Sequence, residues 1–310
     1  MIEQNKKVLV IGTGSIGLRH YDIFSKILSH ETHIKSSSFK REIELKNRGY
    51  KIFNKDLNYD LGIIATTSDK HISTLTKYGY FCPVWLIEKP IISIYNLIPN
   101  LEIDKKLKDK IFVGYNKRFE KGILKFKKLI KEKSILSAKL TCLSNLENWR
   151  KQPLHESISL DRNRGGGVLN ELSHEIDLAS FLLGNIEIIS GDVCQKKYTH
   201  TKVEDSASLS VKHKYGINSE VNISFASTFE ERMIEVKTAN GLFKYNHLTG
   251  DISFRKSDSS KEIIIRNAKE DRNLSFKRQA EALIYNNYEN LCTFEKGIDI
   301  IKKIQYLRWQ

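Results

Sequence analysis

The chain has 310 residues and a formal net charge of +14, with 40% hydrophobic and 10% aromatic residues. This composition excludes a disordered chain, and the length predicts roughly two domains. No apolar run approaches the ~18 residues that a membrane span requires, so no membrane partner is expected. The first apolar stretch, Val8–Ile11, is too short for a signal peptide, which predicts a cytoplasmic protein. The four cysteines are far apart, so we expect neither disulfides nor a metal site.

The positive charge raises the question of nucleic-acid binding, because a strongly basic domain is typical of proteins that contact phosphate backbones. Here the lysines are spread along the chain. The one dense cluster, Lys121–Lys133, has apolar residues at helical spacing and is interpreted as the solvated face of a helix. We therefore expect no nucleic-acid partner, and a field that attracts anionic small molecules.

The first third of the chain alternates short buried strands with amphipathic helices. The predicted strands are Lys7–Ile11, His33–Ser38, Asp60–Thr66, Val84–Ile87 and Ile111–Gly114. The predicted helices between them are Ser15–Leu28, Arg41–Arg48 and Ile72–Tyr78. Strands separated by helices indicate a parallel sheet, which binds its ligand at the carboxyl ends of the strands. We predict a Rossmann-type, doubly wound dinucleotide-binding domain over residues 1–118.

The pattern changes from about residue 135, where apolar and polar residues alternate. Alternation at 207–211, 221–225 and 234–236 is typical of half-buried antiparallel strands. One strong helix, Val168–Leu183, interrupts these strands, and helices at Phe276–Leu291 and Phe294–Leu307 close the chain. We predict that residues 119–310 form an α+β domain with a largely antiparallel open sheet.

Gly12, Gly14 and Gly17 form a G-x-G-x-x-G pattern between the first strand and the first helix. In this context Gly12 allows a tight turn, Gly14 leaves room for a pyrophosphate, and Gly17 permits close packing of helix on strand. The N–H groups at the start of the helix, which include those of Ser15 and Ile16, are then expected to bind the phosphates. The alternative is a structural glycine turn that holds no ligand.

The end of the second strand indicates which dinucleotide is bound. An NAD site usually offers an acidic residue there for the ribose 2′-hydroxyl. This chain has Ser37, Ser38 and Arg41, and its nearest carboxylate is Glu42, inside the helix. Serine hydroxyls and a guanidinium suit a 2′-phosphate, and Arg41 is also able to stack on adenine. We therefore favour NADP(H) over NAD(H), against the alternative of a polar strand end with an exposed arginine.

Three further segments complete a pattern that resembles a known family. They are Ile64–His71 after the third strand, Glu88-Lys89-Pro90 after the fourth, and Gly165–Asp177 at the start of the interrupting helix. Together with the glycine pattern, they resemble the Gfo/Idh/MocA family of sugar and polyol oxidoreductases over essentially the whole chain. The segments Val113–Phe119 and Asn148-Trp149-Arg150 are similar to a subgroup associated with surface-polysaccharide and nonulosonate sugar synthesis.

The resemblance implies that Lys89 and His174 carry the proton chemistry. In the family this lysine contacts substrate and nicotinamide. Imidazole titrates near neutrality, so His174 is assigned the acid/base role with Lys89 assisting. Many relatives carry aspartate four residues before the histidine, where this chain has Asn170. Glu171 lies three residues before His174 and Asp177 three residues after it, and both are candidates to orient the ring. The alternatives are a purely structural role for His174 and, for Lys89, a charge pair in a loop.

Further site residues follow from the same resemblance and from the ends of the predicted strands. Cofactor contacts are assigned to Thr66, Thr67, His71 and Glu88 as well as Lys89. Arg118 and Arg150 are candidate clamps for an anionic substrate group, with Trp149 as an apolar wall. The alternative for each arginine is an ordinary ion pair. The alternative for His71 is a polar residue at the start of a helix.

These assignments predict an NAD(P)-dependent oxidoreductase that transfers a hydride to or from a hydroxyl or keto carbon of a sugar. A nucleotide-linked or acidic sugar in surface-polysaccharide synthesis is the expected class. The alternative is a non-catalytic dinucleotide-binding regulatory protein that retains the fold. The resemblance also implies a homodimer or homotetramer built on the antiparallel sheet of the second domain, which is then both the substrate and the oligomerisation domain.

Overall fold

A computed structural model describes residues 5–96, 105–149, 153–305 and 307. The strands are β1 (Lys7–Ile11), β2 (Glu31–Lys35), β3 (Leu61–Ile64), β4 (Trp85–Ile87), β5 (Ile111–Val113), β6 (Ile135–Asn145), β7 (Ile186–Cys194), β8 (Ser206–His213), β9 (Asn218–Ser224), β10 (Ala226–Thr238), β11 (Gly241–Asn246), β12 (Asp251–Lys256), β13 (Glu262–Asn267) and β14 (Cys292–Thr293). The α-helices are α1 (Ser15–Asp22), α2 (Phe39–Asn47), α3 (His71–Tyr78), α4 (Lys105–Lys108), α5 (Lys121–Ile130), α6 (Val168–Glu171), α7 (Ser173–Leu183), α8 (Arg272–Ile284) and α9 (Phe294–Gln305).

The chain divides into two compact units. The first unit comprises residues 1–116 and 272–299, and the second comprises residues 117–271 and 300–310. The sequence predicts a single boundary after residue 118, whereas α8 and β14 return to the first unit. The chain returns because β14 joins the sheet of the first unit, where Cys292 pairs with Val113 and Thr293 with Phe112.

The first unit is built on a six-stranded sheet in the order β14-β5-β4-β3-β1-β2. Strands β1 to β5 run parallel, and β14 is antiparallel to β5. Val8, Leu9 and Val10 are fully buried, as expected for a parallel strand covered on both faces. Because β1 lies between β2 and β3, the strand order reverses beside it, and open parallel sheets bind ligands at the carboxyl ends of strands at such a point. The predicted Rossmann-type sheet is confirmed.

The second unit contains an eight-stranded sheet in the order β13-β12-β11-β10-β6-β9-β8-β7. Its neighbours are antiparallel, with the exception of the parallel pair β6 and β9. Along β8, Ala207, Leu209 and Val211 are buried while Ser208 and Ser210 between them are exposed, so one face of the sheet is covered. Helices α5 and α7 pack against this sheet. The predicted, largely antiparallel sheet is confirmed.

Most predicted elements are present with shifted ends. The predicted helix Val168–Leu183 divides at Leu172, whose φ of −101° and ψ of 20° separate α6 from α7. The lysine-rich segment forms α5 as predicted, with Ile123, Phe126 and Ile130 buried. Across the residues that the structure describes, no helix combines the length and the apolar character needed to cross a bilayer.

Candidate active site

Two of the three glycines fix the turn between β1 and α1. Gly12 has a φ of +121°, and a Cβ there would lie 2.2 Å from the carbonyl oxygen of Ala65. A Cβ on Gly17 would lie 2.0 Å from the carbonyl oxygen of Gly12. A Cβ on Gly14 would meet no described atom within 4 Å. Backbone packing therefore requires Gly12 and Gly17, whereas Gly14 leaves open space beside the start of α1.

The start of α1 offers backbone donors that no described side chain caps. Gly14 is the N-cap residue, and the first turn holds no acidic residue. The first N–H groups of a helix lack partners within the helix, and those of Ser15, Ile16 and Gly17 belong to this turn. These donors, the helix dipole and the open space beside Gly14 fit the diphosphate of a dinucleotide.

A carboxylate reaches the end of β2, which the sequence pattern did not indicate. The Ser38 hydroxyl caps α2 by accepting a hydrogen bond from the Arg41 N–H at 3.3 Å, and this places Glu42 in the first turn of the helix. The Glu42 side chain returns to the strand, where one oxygen accepts from the Ser36 N–H at 3.0 Å and from the Lys35 ammonium at 2.8 Å. The strand end is therefore not free of acidic groups, although Lys35 offsets the charge.

Lys89 follows β4 and is half-exposed, whereas its neighbour Glu88 is buried. Glu88 Oε2 accepts a hydrogen bond from the Lys89 N–H at 3.2 Å, and Glu88 Oε1 lies 2.7 Å from Nε2 of His20 on α1. Gly114 makes room for this carboxylate, since a Cβ there would lie 2.9 Å from its carbon and from Oε1. No motif pointed to His20; the one available signal is its spacing of three residues from Gly17, which puts both on one face of α1.

His71 connects the segments that follow β3 and β4. Its Nδ1 lies 2.9 Å from the carbonyl oxygen of Pro90, and its Nε2 lies 3.2 Å from that of Thr66. Burial lowers the pKa of His71, so the ring is neutral near pH 7 and donates to one of these two oxygens. Both nitrogens face the backbone, which makes His71 a support for the Glu88-Lys89-Pro90 segment. A direct cofactor contact by His71, Thr66 or Thr67 stays a prediction.

Three glycines precede α6, the short helix before the one that carries His174. Gly165 and Gly167 have φ angles of +84° and +100°, which L side chains rarely adopt. A Cβ on Gly166 would lie 2.6 Å from the carbonyl oxygens of Ile158 and Ser159. All three glycines are therefore explained by the path and packing of the protein's own backbone.

The predicted supporting residues before His174 contact this glycine segment. Asn170 is buried, and its amide donates to the carbonyl oxygen of Gly166 at 3.0 Å. The Glu171 carboxylate accepts a hydrogen bond from the Ser159 hydroxyl at 2.7 Å. His174 itself is half-exposed in the first turn of α7. Asn170 and Glu171 thus help to shape the entry to the helix, and their effect on the His174 ring stays a prediction.

Asp177 and Arg118 form a buried ion pair. Nε and Nη2 of Arg118 donate to the two carboxylate oxygens of Asp177 at 2.8 and 2.6 Å, and the side chains are 3% and 0% exposed. Arg118 was predicted as a substrate clamp and Asp177 as a carboxylate that orients the His174 ring. This pair matches the ion-pair alternative for Arg118, because a buried carboxylate of this kind requires a charged partner. A substrate contact by Arg118 and an effect of Asp177 on the His174 ring stay predictions.

Five ionisable residues of the second unit form what we name the partly buried charge cluster: Lys117, Glu120, Glu175, Arg232 and His247. Glu175 on α7 pairs with Arg232 on β10, and Lys117 pairs with Glu120. Glu120 Oε2 lies 3.0 Å from Nδ1 of His247. Burial opposes the charge of Glu120, but Lys117 and His247 outweigh it and hold the pKa of Glu120 well below its usual value. Burial lowers the pKa of Lys117 and that of His247.

The predicted substrate wall lies beside an aromatic core residue. Trp149 is half-exposed, and its ring centroid lies 5.9 Å from that of Phe225 in an edge-on arrangement. Arg150 falls outside the described residues. Substrate contacts by Trp149 and Arg150 stay predictions.

Comparisons with known proteins match part of the chain to a family model and to a dehydrogenase. Residues 123–244 match the model of the GFO/IDH/MocA C-terminal domain. An inositol 2-dehydrogenase from Rhizobium meliloti (strain 1021) is 24% identical over 127 residues, which are 40% of this chain and 37% of that protein. The matched part is thus little more than a third of that relative's length.

Solved structures share the fold along almost the whole chain. A levoglucosan dehydrogenase in complex with NADH has a TM-score of 0.79 at 17% identity, covering 98% of this chain and 96% of that one. A UDP-N-acetylglucosamine 3-dehydrogenase from Acidithiobacillus ferrooxidans has a TM-score of 0.74 at 16% identity, covering 98% and 97%. An NAD-binding protein from Listeria innocua has a TM-score of 0.75 at 17% identity, covering 97% and 93%. At these identities the likeness shows the fold alone. The predicted family is confirmed by the domain match: residues 123–244 of this chain are a C-terminal domain of the Gfo/Idh/MocA family.

Proposed function

We propose that this chain is a nicotinamide-dependent oxidoreductase that transfers a hydride to or from a hydroxyl or keto carbon of a sugar. The observation that carries the proposal is the uncapped start of α1, which opens onto the space beside Gly14. In the same unit, Glu88 supports the backbone of Lys89 at the end of β4. A protein that only binds a dinucleotide has no need of a lysine supported in this way. The named activities of the relatives favour a sugar or polyol substrate.

The preferred coenzyme in this proposal is NADP(H). Ser37 and Ser38 are exposed at the end of β2, where hydroxyls suit a 2′-phosphate. The Arg41 guanidinium is partly exposed and pairs with Glu44 on the surface of α2 at 3.1 Å, an exchangeable contact. Glu42 would repel a 2′-phosphate, but the ammonium of Lys35 offsets its charge.

His174 is the proposed general acid/base, and Lys89 assists. A bound nicotinamide supplies the hydride donor or acceptor, so the protein has to orient the sugar and move a proton at the reacting oxygen. Because His174 is half-exposed, its ring is able to take that proton during oxidation and to return it during reduction. The ammonium of Lys89 donates a hydrogen bond to a sugar oxygen and stabilises negative charge that develops there.

The proposed substrate class is a nucleotide-linked or acidic sugar of surface-polysaccharide synthesis. The net charge of +14 supports an anionic substrate, because it raises the local concentration of small anions. A UDP-sugar dehydrogenase among the proteins with this fold points in the same direction.

A homo-oligomer is proposed through the uncovered face of the second sheet. This face has a depression of about 810 Å³ whose lining includes Lys139, Ile188, Lys212, Glu220, Glu235 and Lys237. Lysines and glutamates interleaved on one face are able to meet opposite charges on a second copy related by a twofold axis. Light scattering after size exclusion tests this proposal, and a monomer at micromolar concentration would contradict it.

The first experiment titrates the protein separately with NADPH and NADH and follows nicotinamide fluorescence. Oxidation of myo-inositol, levoglucosan and UDP-N-acetylglucosamine is then measured with the coenzyme that binds. His174→Asn should lower kcat about a hundredfold or more while coenzyme affinity stays the same. The exposed His200 supplies the matched control, since His200→Asn should change neither quantity. Binding without turnover of any sugar favours the regulatory alternative, and binding of neither coenzyme contradicts the proposal.

A further inference from the structure

Glu88 is a buried carboxylate with contacts on three sides. Its Oε2 accepts the Lys89 N–H at 3.2 Å, and its Oε1 lies 2.7 Å from Nε2 of His20. On the third side the absence of a side chain at Gly114 is necessary, because a Cβ there would come within 2.9 Å of the carboxylate. The carboxylate therefore has one position that satisfies its neighbours, and one of its two oxygens holds the backbone of Lys89.

His20 is the side-chain partner that sets this position. It is 1% exposed, and its ring lies edge-on to Phe276 of α8, with 5.4 Å between centroids. We take Nε2 of His20 as the donor of this contact and the Glu88 carboxylate as the acceptor. A buried carboxylate that loses such a donor must turn towards another donor or bind a proton itself. Either change alters the acceptor that the Lys89 N–H uses.

We infer that His20 is a positioning residue for Lys89, acting through the carboxylate of Glu88. The inference rests on the proposed function of Lys89. It gives α1 a second role, because the start of the helix faces the proposed diphosphate site and its second turn holds the segment that presents the lysine. A shift of about 1 Å in a group that contacts the reacting atoms is enough to slow turnover about a hundredfold.

The test compares two amides at position 20. Glutamine places its amide nitrogen close to the position of Nε2 and is able to donate to Glu88, whereas the shorter asparagine does not reach it. His20→Asn should lower kcat about ten- to a hundredfold, and His20→Gln should stay within about threefold of the wild type. Both variants should bind NADPH or NADH with a Kd within about twofold of the wild-type value, because the start of α1 is unchanged.

A buried histidine of the second unit controls for loss of stability. His213 lies between the Gly184 carbonyl oxygen at 2.9 Å and the Ser219 hydroxyl at 2.8 Å. His213→Asn should lower the melting temperature and leave kcat unchanged. Gly114→Ala tests the position of the Glu88 carboxylate without altering His20, because the added Cβ should displace that carboxylate. This variant should reproduce the slow turnover of His20→Asn.

The outcomes separate this inference from the proposed function. Turnover is measured with whichever of myo-inositol, levoglucosan and UDP-N-acetylglucosamine the wild type oxidises. If Lys89→Met has the kcat of the wild type, the proposed role of Lys89 is wrong. A slow Lys89→Met beside a fully active His20→Asn would overturn the inference alone. Equal loss in His20→Asn and His20→Gln, or weaker coenzyme binding in both, would also overturn it, because His20 would then serve only the packing of α1.

One measurement does not need a substrate. Protein labelled with 15N-histidine should show an Nε2–H signal that exchanges slowly with water, that is missing in His20→Gln, and that shifts in Gly114→Ala. Absence of this signal from the wild type would overturn the inference whatever the activity of the protein.

Discussion

The two units hold their candidate functional groups by different means. In the first unit, Gly12 and Gly17 are required by contacts between backbone atoms of the turn and of the neighbouring strand. In the second unit, Asp177 on the helix of His174 is held by Arg118, a residue distant in the sequence. The difference shows what each region tolerates. Positions 12 and 17 of the glycine turn accept no added carbon atom, whereas α7 depends on charges that must remain paired.

The largest expected effect is that of Gly12→Ala. The added Cβ would lie 2.2 Å from a carbonyl oxygen and would occupy a φ of +121°, so we expect a loss of at least about 3 kcal/mol in the free energy of unfolding. Urea unfolding followed by circular dichroism measures it.

Gly14→Ala is the matched control for this change. Gly14 has a φ of −73° and open space around its Cβ position, so unfolding should change by less than about 0.5 kcal/mol. Coenzyme affinity should nevertheless fall, because the Cβ occupies space proposed for the diphosphate. Equal stability losses at the two positions would contradict the distinction drawn between these glycines.

An effect of comparable size is expected at the ion pair in the second unit. Arg118→Leu leaves Asp177 buried without its partner and should cost about 3–5 kcal/mol in the free energy of unfolding. Combining it with Asp177→Leu should restore most of that loss, since two apolar side chains then replace two charges.

The corresponding surface control is Arg41→Ala, which removes a half-exposed pair with Glu44 and should have little effect on stability. If Arg118→Leu unfolds like the wild type and loses only sugar affinity, Arg118 is a substrate clamp after all.

The same contrast explains what was predictable from the sequence. The strand Lys7–Ile11, the glycine turn and the alternating strands were predictable because a local pattern determines each of them. The contact of His20 with Glu88 spans 68 residues and that of Arg118 with Asp177 spans 59, so no local pattern encodes either partner. The return of β14 to the first sheet was missed for a related reason, since a strand of two residues has no periodicity.

A smaller effect, with a defined dependence on pH, is expected from the partly buried charge cluster. Lys117 and His247 outweigh burial and hold the pKa of Glu120 below its ordinary 4.5, so ionised Glu120 stabilises the folded state above that pH. This contribution is lost as the pH falls through the lower pKa of the folded protein. Glu120→Gln should therefore be less stable than the wild type at pH 7, by about 2 kcal/mol, with a difference that narrows as the pH drops below about 4.

Urea midpoints of both proteins across that pH range measure the difference. Asp258→Asn removes an exposed partner of Lys256 and should leave the midpoint unchanged at every pH. A stability difference between Glu120→Gln and the wild type that stayed constant down to pH 3 would show that Glu120 acts through packing and not through its charge.

The smallest effect is expected where the first unit depends on exposed side chains, at the end of β2. Arg41→Asp should move the ratio of NADPH to NADH affinity towards NADH by about tenfold, which corresponds to about 1.4 kcal/mol. Glu42→Gln should move the ratio the opposite way, because it removes a carboxylate that accepts from the Ser36 N–H at 3.0 Å. Lys40→Asp makes the same charge change as Arg41→Asp at an exposed neighbour and controls for the general field. Opposite signs for Arg41 and Glu42, with a smaller shift at Lys40, would place the 2′-substituent of the coenzyme beside these two side chains. Equal shifts at Lys40 and Arg41 would mean that only net charge matters, and coenzyme choice would then depend on residues elsewhere in the first unit.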